Sequence, residues 1–371
     1  MSTLRVLRIY HSGVVPSWRQ REHCLRAADV DVSLVSARSW NEGGSRVDLD
    51  DVDPFVLGAR TIGSHPYLFV YDPRPIWRAL RSGDIDVLDI HEEPASAATA
   101  EVLLLARLRG LSRGPRRARI CLYSAQNLPK RYPIPFRWIE RWALRRADAI
   151  HTCNDDVGHI LRAKGYSGIV RNLGLGVDTA TFTPPPASSS HDRPFRIGYV
   201  GRLEPHKGVW VLIDAVAGLD DATLDIIGDG SERDALEQMV RDRDLGDRIT
   251  FHGYERHESL GDTYRRFDVL VIPSIETATW IEQFGRVAVE AMASGVPVVA
   301  SDSGSLAEVL GDSGVLVPQG DVDELRDALH GLQDDPVLRS VLAEKGLARA
   351  AYFSWSSVAG RQREFYEEMV R

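Results

Sequence analysis

Cysteine is scarce in this chain of 371 residues. Cys24, Cys121 and Cys153 are odd in number, far apart and each set in an apolar stretch. That pattern argues against a disulfide framework or a clustered metal site, and predicts buried free thiols in a reducing compartment. Long hydrophobic runs are missing too. A membrane span needs ~20 apolar residues, and the most apolar stretch, AEVLLLARLRG, is cut by arginines. The opening MSTLRVLRIYHSG has no basic-then-apolar signal region, so a cytoplasmic location is expected. Positive charge is in deficit, with 45 Lys and Arg against 53 Asp and Glu and a net charge of −8, which argues against a general nucleic-acid binder and leaves local basic patches open. No short-period repeat is present, so solenoids and propellers drop out.

What is present is globular: 43% hydrophobic and 26% charged residues, in a chain long enough for two α/β domains. Short apolar runs alternate with helical patterns from end to end. LRVLRIYH, VDVSLVSA, IDVLDIHE, RARICLYSA, DAIHTCN and IVRNLGLG are the strands of the first half; FRIGYVG, ATLDIIGDG, ITFHGY, DVLVIPS, PVVASD and GVLVP are those of the second. Strands alternating with helices of ten to fifteen residues predict parallel sheets covered on both faces. TPPPASSSHDRP, residues 183–194, can neither pack as core nor continue a helix, and is the expected linker. The fold class is therefore α/β, with two Rossmann-like, doubly wound parallel-sheet domains facing one cleft. They span residues 1–182 and 195–354, and an amphipathic C-terminal helix at about 355–371 packs back on the first. In such sheets ligands bind beyond the carboxyl ends of the strands.

The second domain carries the most explicit chemistry. Strand FRIGYVG runs through RLEPHKG into the helix VWVLIDAVAGL. Gly201 and Gly208 allow close backbone approach, and Arg202 and Lys207 set two cations beside a helix start, which suits a diphosphate; the alternative is a solvated turn. In IIGDGSER, Gly228 is expected along a nucleotide, whereas Asp229 either caps the next helix or contacts a ligand. EQFGRVAVE places Glu282 in the loop after DVLVIPS, with Phe284 and Gly285 starting a helix whose amides point at a ligand. Glu290 lies ~12 Å further along if all eight steps are helical. That spacing suits two contacts on one extended ligand better than an acid–base dyad. A bland reading makes Glu282 a helix-start acid and Glu290 an exposed one, but a carboxylate unpaired among Val289, Ala291 and Met292 would be costly.

These segments (GRLEPHKG, IIGDG, EQFGRVAVEAMASGVPVVAS and SGSLAEVL, in this order and spacing) resemble the donor domain of retaining family 4 glycosyltransferases of the GT-B fold. The similarity is dense over residues 195–318 and thinner elsewhere; GLGVDTATFTP resembles the family's boundary segment, and YSAQNLPKRYP and ALRRADAIHTCN resemble bacterial members of surface-polysaccharide assembly. The resemblance implies that Arg202 and Lys207 meet the donor diphosphate, that Glu282 lies by the transferred sugar with the Phe284 and Gly285 amides, and that Glu290 binds the ribose. It also implies retention, a UDP- or GDP-linked donor and no resident cofactor.

The first domain departs from that pattern. Its first loop, YHSGVVPSWRQRE, has one glycine, Gly13, where relatives often have a pair, and Ser124, Gln126 and Asn127 stand where relatives often have a histidine. His91, at the end of IDVLDIH, is expected to face the cleft and contact acceptor or sugar, with His11 after strand one in a similar place; a packing role is the alternative for both. The acids of 48–53 and 84–86 suggest a solvated loop and a strand entry, and no metal site is expected. Residues 130–146, KRYPIPFRWIERWALRR, mix cations with tryptophans. They form either a peripheral contact with an anionic membrane or a solvated face with its tryptophans in the core. The expected activity is transfer of a hexosyl unit from a nucleotide sugar to an acceptor glycan, lipid-linked sugar or small molecule. A sugar-nucleotide epimerase or hydrolase, and a non-catalytic nucleotide-sugar binder, are the other readings.

Overall fold

A computed structural model describes residues 3–42, 45–50, 52–111, 117–185 and 193–371. The chain forms two compact units, Met1–Gly174 with Trp355–Arg371, and Leu175–Ser354. The first holds seven parallel strands: β1 (Leu4–Ile9), β2 (Val30–Ala37), β3 (Val56–Ala59), β4 (Val87–Ile90), β5 (Arg119–Ser124), β6 (Ala149–Thr152) and β7 (Ile169–Asn172), in the order β7-β6-β5-β4-β1-β2-β3. Val56–Ala59 escaped the reading of the sequence because an edge strand this short, with a glycine inside it, has no alternation to detect. The helices are α1 (Gln20–Ala27), α2 (Pro73–Arg81), α3 (Ala97–Arg109), α4 (Phe136–Arg146) and α5 (Asp155–Ala163).

Both faces of this sheet are covered, as parallel strands require. Ile76 and Leu80 of α2, Val102 and Leu103 of α3, Ala143 and Leu144 of α4, and Val157 and Leu161 of α5 join Leu7, Ile9, Leu88, Ile90 and Leu122 in one core. On the other face, Leu25 of α1 and Phe365, Tyr366 and Met369 of the C-terminal helix Trp355–Val370 pack on Val6, Val32, Val87 and Cys121.

The second unit is a six-stranded parallel sheet of β8 (Phe195–Val200), β9 (Ala222–Ile227), β10 (Ile249–Gly253), β11 (Val269–Ile272), β12 (Val298–Ser301) and β13 (Val315–Val317), ordered β10-β9-β8-β11-β12-β13. This is a Rossmann strand order, reversing direction between β8 and β11. Helices α6 (Val209–Ala217), α7 (Arg233–Asp242), α8 (Leu260–Tyr264), α9 (Arg286–Ala293), α10 (Leu306–Leu310), α11 (Val322–Asp334) and α12 (Pro336–Tyr352) connect and cover the strands.

The chain passes between units at Gly174/Leu175 rather than at the expected 183–194, of which residues 186–192 lie outside the described residues. Packing explains the shift. Phe182 is buried and meets Tyr264 and His257 edge-on, and Arg265 donates to Thr183 O, so this segment belongs to the second unit.

Candidate active site

In the second unit, the turns after β8, β9 and β11 are fixed by backbone contact. A Cβ at Gly228 (φ 142°) would stand 1.8 Å from Gly201 O. Leu203 N donates to Asp229 O at 2.9 Å. Loop-on-loop packing therefore requires glycine at 228 with no ligand involved. Gly208 (φ 63°) is similar: its Cβ would stand 2.1 Å from Pro273 O, which closes the turn after β8 onto the end of β11.

That closure brings Lys207 to Glu282, with Nζ 2.7 Å from Oε2 and both side chains mostly shielded. Ser274 Oγ donates to the same carboxylate oxygen at 3.2 Å, and Ser305 N donates to the Glu282 carbonyl at 3.1 Å. The Lys207 ammonium also lies 4.5 Å from the centre of the Trp280 ring, on which His206 packs at 4.1 Å. Desolvation, then the charges of Lys207 and Arg202, push the His206 pKa down. Tyr199 OH donates to Arg202 O at 2.7 Å; burial, then the negative charge of Glu282, push its pKa up. The Arg202 side chain is exposed. Two cations and a carboxylate thus share the carboxyl ends of β8 and β11.

Phe284 is buried edge-on against Phe353, and Gly285 (φ 75°) opens α9 without a side-chain cap. The first N–H groups of a helix have no partner within it. Glu290, eight residues on, is 2% exposed. It is not left unpaired, as the sequence suggested an unliganded carboxylate there would be: Tyr264 OH donates to Oε2 at 2.9 Å and Arg286 Nε lies 3.1 Å from Oε1. Asp229 does not cap a helix; it accepts from Gly230 N at 2.8 Å, and α7 begins only at Arg233.

In the first unit, His91 does not reach a cleft. It is 4% exposed, its Nδ1 is 2.8 Å from an Arg8 Nη, and its ring stacks on Tyr123 at 3.8 Å. The reason is strand alternation, which turns His91 to the same side as Asp89 and Glu92 to the other. Glu92 is the residue the sequence reading left without a role, although two acids directly after a strand were the available signal. Its Oε2 lies 2.6 Å from His11 Nδ1, its Oε1 accepts from Tyr71 OH at 2.7 Å, and Trp40 and Phe69 flank the His11 ring. Gly13 is buried in the next turn, where a Cβ would stand 2.9 Å from Leu34. Ser124 Oγ and Ala125 N both donate to Glu93 at 2.8 Å.

The acid runs are partners of arginine. Asp50 and Asp53 pair with buried Arg19, and Asp84 and Asp86 with Arg5; Asp51 lies outside the described residues. Among the described residues, Asp89, His91 and His151 alone are grouped closely enough to hold a metal ion. Arg8 Nη1, 3.3 Å from Asp89, already places a cation there. In residues 130–146, Trp138 is 60% exposed whereas Trp142 packs on the core. No helix among the described residues is long and apolar enough to cross a membrane.

Residues 185–349 match the family described as glycosyl transferases group 1, and residues 12–172 the glycosyl transferase 4-like domain. A phosphatidyl-myo-inositol mannosyltransferase from Mycobacterium leprae is 32% identical over 305 residues, 79% of this chain and 76% of that protein. The chain belongs to the family 4-like glycosyltransferases of the GT-B fold. A D-inositol 3-phosphate glycosyltransferase from Corynebacterium kroppenstedtii is 36% identical over 188 residues, 47% of this chain but only 41% of that one. The GT-B glycosyltransferase fold is shared with Anabaena HepE, solved in complex with UDP-glucose, at a TM-score of 0.69 and 19% identity over 98% of this chain and 100% of that one.

Proposed function

We propose that this glycosyltransferase moves a hexosyl unit from a UDP- or GDP-linked sugar to an acceptor hydroxyl, with retention at the anomeric carbon. The observation that carries the reading is the Lys207–Glu282 contact of 2.7 Å at the carboxyl ends of β8 and β11. Without donor, each group neutralises the other. A diphosphate draws the ammonium of Lys207 to itself, assisted by Arg202 and the start of α9, and releases the Glu282 carboxylate toward the hydroxyls of the hexose. The bond from the anomeric carbon to the diphosphate oxygen then breaks as the acceptor oxygen bonds on the same face. The acceptor proton passes to the departing phosphate. Lys207 and Arg202 stabilise the charge that builds on the leaving group, a task for which no metal is proposed.

Glu290 is the proposed ribose contact, and Gly201 and Gly228 line the nucleotide; a ribose hydroxyl reaches Glu290 by displacing Arg286, whose side chain is 40% exposed. On the acceptor side the proposed contact is His11, braced by Glu92, and not the buried His91. The acceptor is proposed to belong to cell-surface polysaccharide or glycoconjugate synthesis; the phosphatidyl-myo-inositol mannosyltransferase among the relatives supports the glycoconjugate part of that reading. The relative that takes an inositol phosphate favours a small-molecule acceptor as the second reading.

Calorimetry with UDP and with GDP on the full chain tests the core of this reading. A hydrogen bond to a charged group is worth roughly 1.5–3 kcal/mol, so Lys207→Ala is expected to weaken the preferred nucleotide at least about tenfold with its unfolding transition in place. Glu282→Ala is expected to leave nucleotide affinity within about threefold while abolishing release of nucleoside diphosphate from the sugar nucleotide. Unchanged affinity for both nucleotides in Lys207→Ala sinks the diphosphate assignment.

A further inference from the structure

The whole chain is acidic, yet one layer of it is not. Helices α2, α3 and α4 cover the same face of the first sheet, with α2 packed on α3 and α3 on α4. Their outward sides carry exposed Arg74, Arg78 and Arg81 on α2, Arg107 and Arg109 on α3, and Arg137, Arg141 and Arg145 on α4. None of these eight side chains forms an ion pair or hydrogen bond among the described residues. The three helices contain two acids, and both are engaged: Glu101 accepts from Tyr71 N at 2.8 Å, and Glu140 pairs with Lys164 at 2.6 Å. Large apolar side chains stand out of the same layer. Leu104 is 51% exposed, Leu108 67% and Trp138 60%, and Ile134, just before α4, is 61% exposed.

Unpaired guanidinium groups on one side of an otherwise acidic molecule concentrate positive potential there. Aliphatic and indole groups among them add a component that a phosphate backbone alone would not engage. Arginine with exposed Leu, Ile and Trp is the composition of a surface that rests on anionic lipid, cations against headgroups and apolar tips in the boundary below them. A cavity of about 800 Å³ between α4 and the turn 164–168 that follows α5 has Arg141, Arg145 and Lys164 on its wall, together with Asp148, which is paired with Arg117, and has room for a headgroup phosphate.

We propose that the α2-α3-α4 layer is a docking face for an anionic lipid bilayer. The segment 130–146 supplies only one of its three helices. The other two are brought beside it by the fold. The docking is independent of the donor chemistry proposed above, and it is read without donor or acceptor.

Vesicle co-sedimentation of the full chain provides the test. Vesicles of phosphatidylcholine with 30% phosphatidylglycerol (about that fraction keeps the surface anionic) are expected to bind the protein at least about tenfold more than pure phosphatidylcholine, and about 0.5 M salt removes most of that binding. Combined Arg137→Glu, Arg141→Glu and Arg145→Glu is expected to lower binding at least about tenfold, and Trp138→Ala to lower it with the charge intact. UDP or GDP affinity in these variants stays at the wild-type value, which confirms the fold and separates this outcome from a failure of the donor site. Equal binding to the two vesicle types overturns the proposal, as does salt-sensitive binding to duplex DNA with no vesicle binding.

Discussion

Gly228 shows how single atoms hold the candidate site in shape. With a φ of 142° and a neighbouring carbonyl 1.8 Å from where a Cβ would be, it has no room for any side chain. Gly228→Ala must move the turn after β9 away from the turn after β8, where Arg202 and Lys207 reside. Strain of this type costs on the order of 1–3 kcal/mol, so urea unfolding is expected to show a loss in that range together with weaker nucleotide binding. A variant of wild-type stability would mean that the two turns separate freely. Residue identity alone could have supported a ligand-side reason for this glycine, whereas the neighbouring backbone supplies a complete one. Lys207 and Glu282 were each legible from the residues around them. Their contact was not, because 75 positions separate them and nothing local encodes the pairing.

Among elements, the seating of the C-terminal helix rests on buried charge. Tyr366 OH donates to Asp89 at 2.5 Å and Gln362 Nε2 to the Tyr366 oxygen at 2.7 Å, while Arg8 of β1 pairs with Glu22 of α1 and with Asp89 of β4. Burial acts to raise the Asp89 carboxyl, but Arg8 and His151 overcome it and keep that group below the usual carboxylate range. His151 of β6 is pushed the other way by desolvation, from 6.5 down to about 4. Between those two pH values the unfolded chain takes up a proton at this histidine and the folded chain does not. Stability from this group is therefore complete above about pH 6.5 and is lost as pH falls toward 4, at up to about 1.4 kcal/mol per pH unit. Urea unfolding at pH 7 and pH 5 is expected to show that loss, and His151→Gln to reduce it. Equal pH dependence in the two proteins would show that His151 is charged in the fold. Breaking such a network by removing one partner is far costlier than never having it, which fits its role of fixing which segment closes this face.

For the molecule as a whole, each unit has its own sheet and its own core, so a ligand held by one set of loops leaves a local signature. Addition of UDP or GDP is expected to slow amide exchange in residues 201–208, 228–231 and 274–290, and to leave residues 9–14 and 91–93 near their unliganded rates. Protection confined to the first unit would remove the donor site from the second.

What the sequence determined by itself is whatever depends on near neighbours. The alternation of apolar runs with helical stretches was enough for two parallel sheets, and the glycines, cations and acids around 201–208 and 282–290 were enough for a family resemblance. The short edge strand, the exact crossing point between units, the inward turn of His91 and the union of His11 with Glu92 needed the tertiary structure. So did the gathering of arginines from α2, α3 and α4 onto one layer. Periodicity and propensity act over a few residues, whereas burial, ion pairing and surface potential depend on groups that meet only once the chain has folded.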